Sequence, residues 1–93
     1  MTTHHYRAQP PEALLVRPLD DLTLLYHRPS GQTHMVVSPV PEILAALQQG
    51  AADAATLHAR LSREFDLGDP AQAQAEIAAH LAEMAALGVV SRA

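Results

Sequence analysis

The residues of this chain that could do chemistry are its histidines and a few carboxylates. Six histidines occur among 93 residues and cysteine is absent, which excludes disulfides, thiolate metal sites and a thiol nucleophile. His27 and His34 are predicted to face each other across a hairpin, but no third metal ligand stands at a suitable spacing. Glu76 and Glu83 lie two helical turns apart, which is typical of a solvated helix face. We therefore expect a protein that is not an enzyme, with no catalytic residue, metal site or cofactor.

Charge and hydropathy narrow the classes of partner. The net charge is −4, and all six basic residues are arginines scattered along the chain. Binding to nucleic acid through its phosphates requires a clustered basic face. No apolar run approaches the roughly 18 to 20 residues of a membrane span, and the N-terminal segment lacks the apolar core of a signal peptide. We expect a cytoplasmic protein that binds neither nucleic acid nor membrane.

The first half of the chain predicts three strands. Residues 1–13 are polar and proline-containing, which predicts a flexible N-terminal arm. A short strand follows at 14–17 and a second at 22–28. Pro29, Ser30 and Gly31 have the composition of a hairpin turn, so a third strand is predicted at 32–37.

The second half of the chain predicts three helices, because each apolar stripe of period 3.6 follows a capping residue. The predicted caps are Ser38, Asp53 and Asp69, and the predicted helices end before Gly50, at Phe65 and at Leu87. The expected core residues are Leu24, Met35, Ile43, Leu57, Leu61, Leu81 and Met84, with Val89 and Val90 returning to the sheet or closing the core.

Together these elements predict a small α+β domain over residues 14–93. The predicted architecture is winged-helix-like, a three-stranded antiparallel sheet followed by three helices. Much of the 48% hydrophobic content is alanine, so few large apolar side chains are available for the core. Stabilisation by a partner or by a homodimer would suit such a composition.

The third predicted helix has three sectors at about 100° per residue. Its core stripe contains Ala73, Ile77, Leu81 and Met84. One side is polar, with Gln72, Glu76, His80 and Glu83. The other side is the alanine flank, which we define as Ala71, Ala75, Ala78, Ala82 and Ala85.

Several segments carry a resemblance to a known family. VRPLDDLTLLYH, VVSPVPEIL and LAEMAALGVVS resemble the PqqD family, in the same order and over residues 14–91. The segment HRPSGQTH is similar to PqqD-like proteins encoded beside an HPr-kinase-related protein, the HPr-rel-A system.

The resemblance implies a peptide chaperone that recognises the leader of a ribosomally made precursor peptide. Such a domain adds the leader as a strand to its third β-strand, beside the third helix, and presents the peptide to a modifying enzyme. Carried over to this chain, the peptide-binding residues would be Thr33, His34, Met35, Val36, Val37, Ala78, Leu81, Ala82 and Ala85. The implied partners are the precursor peptide and a peptide-modifying enzyme or HPr-kinase-related protein.

The alternative is a winged-helix DNA-binding transcription regulator, since a hairpin and three helices describe both. That function would send the third helix into the major groove, where arginine, lysine, asparagine or glutamine must reach bases and phosphates. Residues 70–87 contain two glutamates and neither arginine nor lysine. The lack of basic residues in this helix therefore favours peptide binding over DNA binding.

We predict that duplex DNA binds no better than background at physiological salt, because the third helix is acidic. Fluorescence anisotropy with labelled duplexes would measure it. A salt-dependent, sequence-selective increase in anisotropy would favour the regulator instead.

Overall fold

The computed structural model describes residues 4–93, which form two separate sheets and three helices. In chain order the elements are β1 (Tyr6–Ala8), β2 (Leu14–Leu19), β3 (Leu22–His27), β4 (Gln32–Val36), α1 (Val40–Leu47), α2 (Ala54–Leu61), α3 (Pro70–Ala86) and β5 (Val90–Arg92). β2, β3 and β4 form an antiparallel sheet in that order, and β1 pairs antiparallel with β5. The predicted α+β fold, a three-stranded sheet followed by three helices, is confirmed.

The N-terminal segment differs from the flexible arm that its composition predicts. Tyr6–Ala8 is a strand, and Tyr6 exchanges two backbone hydrogen bonds of 2.9 Å with Ala52. The Tyr6 side chain is buried. A three-residue strand is too short to show a period, so only its distant partner β5 reveals it. Residues 1–3 of the predicted arm lie outside the described residues.

Two hairpin turns join the strands of the larger sheet. The first follows Leu19, so β2 continues through Pro18 instead of ending before it. Proline is tolerated there because β2 is an edge strand. The second turn contains Gly31 at φ +72°, with the Gly31 N–H donating to the His27 carbonyl at 2.8 Å. This is the positive φ expected at the glycine of the predicted turn.

The larger sheet places the opposite face in the core from the one predicted. Thr23 and Leu25 of β3 are buried, whereas Leu24 is only half-buried on the outer face. Met35, which pairs with Leu24, is 73% exposed. The predictions of Leu24 and Met35 as core residues are therefore wrong. Both faces of this hairpin carry apolar side chains, so period-2 alternation alone does not choose between them.

The helices supply most of the core. Ile43, Leu57, Leu61, Leu81 and Met84 are buried as predicted, and Val89 and Val90 close the core beside them. The four residues of the predicted α3 core stripe are all buried. Within residues 4–93, every helix falls short of the length and apolarity that crossing a bilayer requires.

Two helix boundaries differ from the sequence prediction. The residue before α1 is Pro39 and its first turn has no side-chain cap; the Ser38 hydroxyl, one residue too early, donates to the Glu42 carboxylate. α2 ends at Leu61, the chain turns, and Phe65 is 44% exposed instead of continuing the apolar stripe. The predicted caps at Asp53 and Asp69 are confirmed, since each accepts a backbone N–H bond.

We predict that Leu25→Ala lowers the free energy of unfolding by about 2 to 5 kcal/mol, because it leaves a cavity at a fully buried position. Leu24→Ala, on the outer face of the same strand, is the matched control and should cost clearly less. Urea denaturation would measure both. A larger loss at Leu24 would mean that the hairpin presents its other face to the helices.

The Asp53 carboxylate makes the stability of the protein depend on pH. The Thr56 N–H donates to its carboxylate at 2.8 Å and holds the pKa of Asp53 below the usual 3.8. A pKa lowered by folding stabilises the protein fully above the unfolded value, and this contribution is lost as pH falls through the folded value. Asp53→Asn can still cap the helix but does not titrate.

We therefore expect the stability difference between wild type and Asp53→Asn to be constant above about pH 5 and to shift against the wild type below about pH 4. Urea titrations at several pH values would measure it. A difference that stays flat down to about pH 2 would contradict the assigned hydrogen bond.

Candidate functional site

The free edge of β4 is the first component of the candidate site. β4 pairs with β3 along one edge only, and no strand among residues 4–93 covers its other edge. An uncovered strand edge presents backbone N–H and C=O groups that another extended chain can pair with. β4 can therefore accept a peptide strand without a special side chain.

A groove beside this edge is the second component. It has a volume of about 300 Å³ and runs between the end of β4 and the last turns of α3. Its lining residues are Met35, Val36, Val37, Ser38, Val40, His80, Glu83, Met84, Leu87 and Val89. Met84 and Val89 are buried, whereas Leu87 is 44% exposed. The groove is thus an apolar channel with an open wall, the shape that receives side chains of an added strand.

Charge in the groove comes from one end of α3. Glu83 is its only acidic lining residue, His80 lies one turn earlier, and neither arginine nor lysine lines it. Glu83 is exposed. The groove is therefore apolar with an acidic rim, and a peptide combining apolar residues with a basic residue would complement it.

The structure brings together only part of the predicted peptide site. Met35, Val36 and Val37 line the groove, but Ala78, Leu81 and Ala82 line a different cavity of about 350 Å³. That second cavity also includes Tyr6 and Arg92, because the alanine flank of α3 faces β1 and β5. The remaining predicted site residues lie elsewhere. Thr33 is exposed on the side of the sheet that points away from the helices, His34 is half-buried on the opposite side, and Ala85 packs against the core.

The flank of α3 that lines the groove belongs to the side that its polar residues predict to be solvated. His80, Glu83 and Leu87 stand at spacings of three, four and seven, so they share one helix face. The sequence contains one indication that this face is not fully solvated, because Leu87 places an apolar side chain on it. Leu87 stands at the predicted end of the helix, where a single apolar residue is weak evidence for a buried face.

The histidines do not form the predicted cross-strand pair. In the β3–β4 register His27 is opposite Gln32, and His34 is opposite Leu25. His27 Nδ1 hydrogen-bonds the Ser30 hydroxyl at 2.7 Å. Within residues 4–93, no three histidine, aspartate or glutamate side chains are grouped where they could hold a metal ion.

A larger cavity of about 580 Å³ lies between α1 and the turn after α2. One of its two arginines is already engaged, since Arg60 donates to the Ala46 carbonyl at 3.2 Å and to the Gly50 carbonyl at 2.8 Å. Arg60 therefore satisfies carbonyls at the end of α1. The cavity is lined by both acidic and basic residues and has no strand edge. We therefore place the candidate site at the groove beside β4, although that groove has a smaller volume.

No protein-family model, curated protein or solved structure matches this chain.

Proposed function

We propose that this chain is a non-catalytic peptide-binding domain that takes up an extended peptide as an additional strand along β4. The uncovered β4 edge beside the apolar groove is the observation that carries the proposal. Backbone pairing with β4 supplies affinity, and side chains at alternate positions enter the groove and supply specificity. The peptide would lie against His80, Glu83 and Leu87 instead of the alanine flank.

The resemblance to the PqqD family supports a particular class of peptide. In that proposal the bound segment is the leader of a ribosomally made precursor, which the domain presents to a peptide-modifying enzyme or HPr-kinase-related protein. Precursors of this kind emerge from the ribosome in the cytoplasm, so a cytoplasmic location belongs to the same proposal. The acidic rim favours a leader with apolar residues at alternate positions and a basic residue near Glu83.

Regulation of transcription is the weaker candidate. α3 carries Glu76 and Glu83 and no arginine or lysine, which opposes its entry into a major groove. The uncovered strand edge has no role in that function. A peptide partner accounts for both the edge and the groove.

A display library of random peptides of about twelve residues would supply a test ligand, and NMR with isotope-labelled protein would locate it. We expect the amide shifts of Met35, Val36 and Val37 to change together with those of Glu83 and Leu87. Enrichment of no peptide, or shift changes confined to α2, would contradict strand addition at β4.

Side-chain substitutions then test the groove wall. Leu87→Ser should weaken binding of the selected peptide about tenfold, because it removes apolar surface from the contact. Leu15→Ser is the matched control, since Leu15 has a similar exposure of 46% but lies on the outer face of the sheet. Ala82→Arg should leave the affinity for the selected peptide unchanged. If Ala82→Arg strongly weakens binding and Leu87→Ser does not, the peptide binds along the alanine flank instead of the β4 groove.

A further inference from the structure

The outer face of the three-stranded sheet is an uncovered apolar surface. We call it the outer sheet face and define its apolar part by Leu15, Leu19, Leu24, Tyr26 and Met35. The register places all five on the side of the sheet opposite Leu25. Exposures run from 39% at Tyr26 to 73% at Met35, apart from half-buried Leu24. No element among residues 4–93 shields this surface.

The size of the outer sheet face suits a protein interface. Side chains of these types and exposures present on the order of 500 Å² of apolar surface, near the upper end of what a monomer leaves uncovered. This is less than the roughly 800 Å² that each partner contributes to a standard interface, so the association is expected to be weak and to depend on protein concentration.

Charge on this face selects an orientation for a second copy. Arg17 is the charged side chain that β2, β3 and β4 place on this face, and it shares a cross-strand row with Leu24 and Met35. A two-fold axis parallel to β3 lays β2 of one protomer over β4 of its partner, so each Arg17 lies over the other protomer's Met35. An axis across the strands would bring the two Arg17 side chains together with no carboxylate between them.

The axis parallel to β3 also determines which side chains of the two copies contact each other. Leu24 of one protomer meets Leu24 of the other near the axis, and the two Arg17 side chains lie on opposite margins, more than about 10 Å apart. Each guanidinium can extend past Met35 into solvent while its aliphatic stem packs. Twisted sheets stack face to face in this manner at about −30° and about 10 Å apart.

Other occupants fit this surface less well. An anionic membrane would meet one arginine on a chain of net charge −4, which gives little attraction. An unrelated protein partner would best supply a carboxylate opposite Arg17, whereas a second copy needs none. We propose that the chain forms a symmetric homodimer by stacking the outer sheet faces of two copies, with Met35 at the boundary between this face and the peptide groove.

Sedimentation velocity on the full 93-residue chain, from about 1 μM to about 1 mM, tests the association. We expect a concentration-dependent dimer that Leu24→Asp dissociates at least tenfold more readily. Phe65→Asp, which charges an exposed apolar residue on another surface, should leave the dimer unchanged. A chain that stays monomeric throughout, or a dimer that survives Leu24→Asp, would overturn the proposal.

Met35 distinguishes the proposed axis without endangering the fold, because its side chain is largely exposed. Met35→Arg should weaken the dimer at least tenfold by facing Arg17 of the other copy. Met35→Glu should keep the dimer within a few-fold of wild type by forming an ion pair that added salt weakens. Equal loss in both variants, with wild-type circular dichroism, would refute this stacking of β2 over β4.

Discussion

The burial of Leu25 is the constraint on which the arrangement of this domain depends. Leu25 is fully buried, and together with Leu14 it joins the three-stranded sheet to the helical core. Because side chains alternate along a strand, burying Leu25 sends Leu24 and its cross-strand neighbour Met35 to the outer face. The same choice turns Val36 inward beside α3 and so creates the groove next to the free edge of β4. A single buried leucine thus determines both the candidate peptide site and the exposed sheet face.

The second sheet positions the other wall of that groove. β1 and β5 bring the two ends of the described chain together, and Val89, just before β5, and Val90, its first residue, are buried in the core. Gln9 adds a hydrogen bond of 2.9 Å to the Gly88 carbonyl just after α3. These contacts hold the C-terminal end of α3, and with it Leu87, close to β4. They also occupy the side of α3 that carries the alanine flank, which is why that flank lies next to β1 and β5.

Recognition through backbone groups suits a chain of this composition. Its described residues offer no grouped metal ligands, and its few charges are scattered. Strand addition requires only an accessible edge and a shaped apolar neighbour, and β4 with its groove has both. The proposed dimer would use the outer surface of the same sheet, so one small sheet would serve two contacts. Its edge would bind peptide and its outer face would bind a second copy.

The sequence by itself determined the order and type of the main elements. Local signals were sufficient for this: Gly31 at the hairpin turn, Asp53 and Asp69 as caps, and the period-3.6 stripe of Ile77, Leu81 and Met84 each act within a few residues. The tertiary structure decided the strand at Tyr6–Ala8, the inward face of the hairpin and the flank of α3 that meets β4. Those features depend on contacts between residues distant in sequence, and a hairpin apolar on both faces gains similar burial either way until the helices pack against one of them. The candidate site combined both sources, because Met35, Val36 and Val37 follow from the hairpin whereas His80, Glu83 and Leu87 follow only from how α3 packs.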